Sequence, residues 1–350
     1  MRILNKVINI SKYKILNQRN ILVKNTYYLS LLVILIFSLN TGLGLSESIY
    51  TKSFSTSGLI NYPYSPSGFV ASSELINYYS MTTQEVTTFV GLIKAQGFTE
   101  ITLRLNAMNE WSSEQPSSNG ASKTKEIITK CQENGISVSL DLHTWYTTWD
   151  NYFRDSASNS VENREKYINY VINTIDAFSG YPVKAWMILN EPQARTATSS
   201  ENQFILNIIS AAKSQTTKPV SVRFMCGYSP STGHYSEQID QACDFLCRNT
   251  YWDSRNPSTS VYGTTEAKMT YAINTAKSLG KEIWMSEFGK TNSDEDDQSD
   301  FIRAFIAYAK EAEINRVFAW VIQPENPSGE TYNLFGSNYQ PLPAFYEIKS

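Results

Sequence analysis

At 350 residues the chain is long enough for one α/β barrel or for two small domains. Its 41% hydrophobic and 18% charged residues exclude a disordered or collagen-like chain. With 30 Lys+Arg against 33 Asp+Glu, a formal charge of -3, there is no basic field to attract nucleic acid. Two His and four Cys leave few nitrogen or sulfur ligands, so no metal and no cofactor is expected, and carboxylates and aromatics must carry the chemistry.

In chain order, residues 1–44 come first, with six basic side chains (Arg2, Lys6, Lys12, Lys14, Arg19, Lys24), no acidic one, and an apolar run from Tyr27 to Leu39. A basic stretch followed by an apolar one is an export signature. The uninterrupted apolar part, Leu31 to Phe37, is short against the roughly 20 residues of a membrane span. The segment is expected to be a signal peptide, with small residues for cleavage at Gly42-Leu43-Gly44, or an N-terminal membrane anchor if uncleaved. Residues 45–350 would then be secreted or held at the outer face of the membrane. Without the six leader charges this part has 24 Lys+Arg against 33 Asp+Glu, a formal -9, which disfavours acidic polymers as substrates. Outside the cytoplasm Cys131, Cys226, Cys243 and Cys247 either form one or two disulfides or serve as buried small hydrophobes, and their spacing does not choose.

From residue 83 onward helix and strand patterns alternate. Helices are predicted at 84–96, 122–134, 161–178, 201–213, 236–242, 264–279 and 298–313. Strands are predicted at 101–105, 136–143, 185–190, 220–226, 245–251, 282–288 and 316–322, with a weak first strand around 58–61. Repeated βαβ units specify a parallel sheet, and a run of about 300 residues without a linker favours closure into a (β/α)8 TIM barrel, one domain over 45–350. No glycine-rich loop follows an early strand, which removes the dinucleotide and phosphate-loop readings.

Active sites of such barrels lie at the carboxyl ends of the strands. There the sequence places Arg104, His143, Asn190-Glu191-Pro192, Tyr251, Glu287 and Trp320. A carboxylate closing an apolar run such as Trp186-Met187-Ile188-Leu189 is costly to bury unpaired. Two of them, on the fourth and seventh strands, suit the acid and nucleophile of glycoside hydrolysis.

These residues resemble the retaining (β/α)8 glycoside hydrolases, and most of all family 5, the cellulase family, over about residues 55–345. The resemblance rests on Leu189-Asn190-Glu191-Pro192 and, 96 positions after Glu191, on the glutamate of Trp284-Met285-Ser286-Glu287-Phe288-Gly289. It implies Glu191 as acid/base and Glu287 as nucleophile. By the same resemblance Asn190 bonds the sugar 2-hydroxyl, Arg104 and Tyr251 hold Glu287 ionised, His143 contacts substrate, and Trp320 floors the reacting sugar. One position departs from the pattern: Asn249 stands where the family usually has a histidine supporting the acid/base, and it cannot titrate.

Aromatics make up 13% of the chain. Trp111, Trp145, Tyr146, Trp149 and Trp252 fall in loops on the catalytic face, where they would either stack on pyranose rings or pack the loops. The acidic run Asp294-Glu295-Asp296-Asp297 lacks the glycine and closing glutamate of a calcium loop and is expected to favour the start of the following helix. The expected function is endo-acting cleavage of a β-linked polysaccharide, most of all β-1,4-glucan, by two glutamates. Mannan and β-1,3-glucan are the alternative substrates, and a non-catalytic glycan-binding barrel the alternative class. The expected partner is a glycan, with no nucleic acid, no membrane beyond the possible anchor, and a monomeric chain.

Overall fold

The computed structural model describes residues 68–144, 146–192, 196–253, 266–291, 295–322, 332–335 and 341–348. The expected leader at 1–44 and the strand expected at 58–61 lie outside them. By its internal contacts the chain divides into Met1–Lys52 and Ser53–Ser350, and every described residue belongs to the second unit. No described helix is long and apolar enough to cross a membrane.

Eight strands alternate with helices. They are β1 (Val70–Leu75), β2 (Glu100–Leu105), β3 (Ser137–Leu142), β4 (Val183–Asn190), β5 (Val220–Met225), β6 (Leu246–Asp253), β7 (Ile283–Thr291) and β8 (Arg316–Ile322). Between them run α1 (Thr83–Ala95), α2 (Ser118–Glu133), α3 (Ser160–Ala177), α4 (Ser199–Gln215), α5 (Glu237–Ala242), α6 (Glu266–Ser278) and α7 (Glu295–Glu311). Each strand is parallel to its neighbour, and β1 pairs with β8, so the sheet closes into the (β/α)8 barrel.

The first strand corrects the sequence reading. Its residues Val-Ala-Ser-Ser-Glu-Leu carry too little apolar signal, yet from Ala71 onward all are buried, Glu74 among them. Polar members are satisfied inside the wall: Ser73 Oγ donates to the Ala319 carbonyl at 2.5 Å, and Ser72 Oγ to that of Glu100. Buried hydroxyls that hydrogen-bond the neighbouring strand make a strand without the usual β-branched run.

Local sequence sets the helix starts. Thr82 and Glu85 form a reciprocal capping box before α1, Thr198 and Glu201 one before α4, and Ser117 accepts from the Gly120 amide before α2. Ala185, Met187, Phe245, Cys247, Trp284 and Phe318 form one buried cluster of the core. All four cysteines are free and buried, the hydrophobe reading of the two left open.

Candidate active site

Strand β4 ends at Asn190, and Glu191 follows in the left-handed region at φ 47°. A non-glycine residue held there costs about 1 kcal/mol, so its surroundings must fix it. They do so on both sides. The Glu191 amide donates to the Arg223 carbonyl at 2.9 Å, and Pro192 follows. The turn aims the carboxyl at the carboxyl ends of the strands.

Asn249 on β6 then orients it. Its Nδ2 donates to Glu191 Oε1 at 2.9 Å and to Asn190 Oδ1 at 3.0 Å, while its Oδ1 accepts from Ser286 Oγ at 2.8 Å. Asn249 is fully buried and pairs in register with Glu287 on β7. Asn249 thus bonds Glu191 from the position where the resemblance puts a supporting histidine. Asn190 is held by Thr144, whose Oγ1 donates to its carbonyl at 3.0 Å and whose own carbonyl accepts from Asn190 Nδ2 at 3.2 Å. Burial pushes the Glu191 carboxyl above the ordinary carboxylate range, against the Asn249 hydrogen bond and the charges of Arg104 and Arg223. A carboxyl that keeps its proton is what a general acid requires.

Glu287, 3% exposed, is the second carboxyl. Its Oε1 accepts from Arg223 Nη1 at 2.9 Å, its Oε2 accepts from the Tyr251 hydroxyl, and Arg104 Nη2 lies 3.7 Å from Oε1. Tyr251 is half-buried beside two carboxylates, and desolvation together with their charge raises its pKa well above the usual phenol value, so it stays a donor. Arg223 is the cation in hydrogen-bond contact, and Arg104, which the sequence reading expected beside Glu287, adds an ion pair to it. Burial pushes Glu287 up to about 8, with Glu74 adding to the rise and Arg223 and Arg104 opposing it. Burial and the Glu74 charge thus favour the protonated form of Glu287, while Arg223 and Arg104 favour the carboxylate.

Arg104 sits over the Trp320 ring, its guanidinium carbon 4.0 Å from the centroid, and His143 stacks on the same indole at 6.2 Å with 27° between planes. The Trp320–Val321 peptide is cis. His143 Nδ1 meets Asp141 Oδ2 at 3.1 Å, and burial together with Arg104 holds the imidazole well below its usual pKa, hence neutral. With Asp141 as the acceptor, Nδ1 carries the proton and Nε2 the lone pair.

Arg104, His143, Asn190, Glu191, Tyr251, Glu287 and Trp320 therefore converge on one barrel end. Of the loop aromatics, Trp111 and Trp149 do not form sugar platforms. Trp111 is 5% exposed against Tyr152 and Phe153, and Trp149 is 2% exposed against Phe204. Trp145 and the side chains of Tyr146 and Trp252 lie outside the described residues.

Two residues were missed. Glu74 on β1 and Arg223 on β5 are fully buried. Arg223 Nη1 donates to Glu74 Oε2 at 2.8 Å and to Asp141 Oδ2 at 3.1 Å besides Glu287, and Arg104 Nε donates to Glu74 Oε1 at 3.1 Å. A signal existed for Arg223: a guanidinium inside the run Val220-Ser221-Val222-Arg223-Phe224-Met225 can be buried only beside carboxylates. Glu74 had none, because its strand was unrecognised. Glu74, Asp141, His143 and Glu287 offer ligand atoms within 4.8 Å of one another. Arg223 Nη1 already bonds the three carboxylates of this set as their cation, an arrangement that does not fit a metal ion.

Residues 62–221 match the family described as Cellulase (glycosyl hydrolase family 5). No curated protein sequence matches the chain. Among solved structures, the endo-beta-1,4-mannanase from Thermotoga petrophila superposes with a TM-score of 0.59 at 16% identity, covering 80% of this chain and 76% of that one. A GH113 beta-1,4-mannanase gives 0.59 at 12%, covering 81% and 100%. The Ruminococcus gnavus beta-glucuronidase gives 0.58 at 15%, covering 80% of this chain and 50% of its own, so the chain spans about half of that enzyme's length. At such identities the likeness extends to the barrel fold.

Proposed function

We propose that this chain, whose residues 62–221 match the glycosyl hydrolase family 5 model, is a retaining β-glycanase of that family that cleaves β-1,4-glucan within the chain. The observation that carries the reading is the pair of carboxyls, Glu191 just past β4 and the buried Glu287 on β7, one held by the Asn249 amide and the other by Arg223 and Tyr251. Glu287 attacks the anomeric carbon as the glycosidic C–O bond breaks, and Glu191 gives its proton to the departing oxygen. Glu191, now a carboxylate, takes a proton from water, which attacks the glycosyl ester and frees Glu287. The Tyr251 and Arg223 donors stabilise the carboxylate that leaves in this second step.

Mannan is the second reading, favoured by the two mannanases among the structural neighbours. A glucuronide is not proposed: among the described residues, the charges of Arg104 and Arg223 are already shared by three carboxyls, Glu74, Asp141 and Glu287. A third reading is a glycan-binding barrel without turnover, motivated by Asn249 in place of a titratable group. Incubating the purified chain with cellulose, mannan, xylan and mixed-linkage glucan, with product anomers followed by NMR, separates these. Release of the β-anomer first from glucan supports the proposal, release of the α-anomer overturns retention, and binding without new reducing ends favours the binder. Glu191→Gln and Glu287→Gln should each lower turnover by several orders of magnitude with the fold intact. We propose export on the basic and apolar leader; a protein recovered from culture medium that still began at Met1 would argue against cleavage.

A further inference from the structure

Arg223 Nη1 is shared among three carboxyls: Glu74 at 2.8 Å, Glu287 at 2.9 Å and Asp141 at 3.1 Å. Arg104 divides itself in the same way, at 3.1 Å from Glu74, 3.7 Å from Glu287 and 4.0 Å from Asp141. The groups facing this cluster come from every strand but β8. Glu74 is on β1, Arg104 on β2, Asp141 on β3 with His143 just beyond, Glu191 beyond β4, Arg223 on β5, Cys247 and Tyr251 on β6 and Glu287 on β7. Strand β8 supplies only the Trp320 ring against Arg104.

Several of these carry no charge. His143 is neutral, the Tyr251 hydroxyl stays protonated, and burial pushes the Cys247 thiol up to about 12. Burial favours the protonated form of Glu191, so among the described residues three acids, Glu74, Asp141 and Glu287, face two cations, Arg223 buried with them and Arg104 with 10% of its side chain exposed. Desolvated negative charge in excess of its counter-charge favours protonation, and the carboxyls therefore compete for the two guanidinium groups.

We propose that Glu74 is a positioning residue for the nucleophile: by competing with Glu287 for Arg223 and Arg104, it sets the pH at which Glu287 becomes an attacking carboxylate. This rests on the reading of Glu287 as nucleophile. Glu74 is fully buried, bonds both arginines and adds its own negative charge beside Glu287. After burial, its charge is the largest cause of the rise at Glu287. The device keeps the nucleophile tightly bonded without leaving it as the sole partner of two guanidinium groups, which would make it a poor electron donor.

The test is the pH dependence of nucleophile trapping by 2,4-dinitrophenyl 2-deoxy-2-fluoro-β-cellobioside and the matching β-mannobioside. Glu287 attacks the anomeric carbon, dinitrophenolate departs with the bonding pair and needs no proton from Glu191, and the fluorine slows release of the glycosyl ester. The acid limb of this rate reads the ionisation of Glu287 alone. In Glu74→Gln the limb should move about one pH unit or more to lower pH, because one negative charge beside the nucleophile is gone. KM for glycan should stay at its parental value. Glu74→Asp keeps the charge, so its limb should remain in place even if its rate falls.

A folded Glu74→Gln chain whose limb coincides with the parental one overturns the inference while leaving the nucleophile assignment standing. Absence of label on Glu287 at any pH, with both probes, overturns that assignment and the inference with it. Should Glu74→Gln not fold, Asp141→Asn carries the same test, since Asp141 bonds the same guanidinium nitrogen; an unmoved limb there overturns the proposal equally.

Discussion

Asn249 illustrates how one amide constrains proton chemistry. Its Nδ2 can only donate, so Glu191 Oε1 must accept, and the acid's proton is confined to the other carboxyl oxygen. Because the same bond favours the ionised form, Asn249→Ala should raise the basic limb of kcat/KM by up to about one pH unit. It should also slow glycosides with poor leaving groups by about 10- to 100-fold, the range of lost proton-transfer assistance, while leaving dinitrophenyl glycosides nearly untouched. Leaving-group series at several pH values check both. Glu287 supplies the opposite case, a stability effect. Its pKa is about 8 in the folded chain against 4.5 for the free group, so between those values the folded state binds more protons than the unfolded one. That contribution is complete below pH 4.5 and fades as pH rises through 8. Glu287→Gln, which cannot ionise, should therefore melt higher than the parent at pH 8.5 and no higher at pH 4, read by calorimetry across pH.

At the scale of the element, the helices and the inner strands were legible in the sequence because their signals are local. The run of α4, expected at 201–213, is observed as Ser199–Gln215, and the extra residues at its start follow from the Thr198 cap, which periodicity alone does not see. Strand β1 was not legible. A strand with Ser72, Ser73 and Glu74 in it becomes buried only because β2, β5 and β8 supply acceptors and guanidinium groups, and those partners lie 28 to 246 residues away. Local pattern carries no trace of such partners. Arg223 did leave a local signal, a guanidinium inside an apolar run, but which carboxylates it would bond did not show. The candidate pair Glu191 and Glu287 was readable, whereas the Glu74 and Arg223 pair that tunes it depends on strands meeting across the barrel. A purely local device should behave locally. Thr82→Ala removes the capping box of α1, whose pair is exposed, and should lower stability by about 1 kcal/mol with kcat/KM unchanged. Urea titration with parallel kinetics measures both.

Across the whole molecule, the two ends of the barrel use buried charge for different purposes. At the amino ends of the strands Glu100 accepts from Lys184 and, at 2.9 Å, from Arg316 Nε, while Arg316 also bonds Glu282 and lies over the Trp284 ring at 4.7 Å. This network ties β2, β4 and β8 together around the closure of the sheet. Its acids and cations are matched in number, two and two, so no shared proton is needed. At the carboxyl ends the excess of acid over guanidinium is what gives the site titratable groups at all. Two buried glutamates, Glu74 and Glu100, one on each of two neighbouring strands, should then respond differently to the same substitution. Glu100→Gln leaves Arg316 and Lys184 short of a partner and should destabilise the fold by about 3 kcal/mol, the scale of a broken buried pair. The pH profile of the folded fraction should stay parental, since the amino-terminal face of a barrel serves stability and takes no part in the chemistry. Denaturant midpoints set beside kcat/KM from pH 4 to 9 measure this. A shift of the acid limb in Glu100→Gln would mean that charge communicates along the full height of the barrel, and the separation of roles between its two ends would not hold.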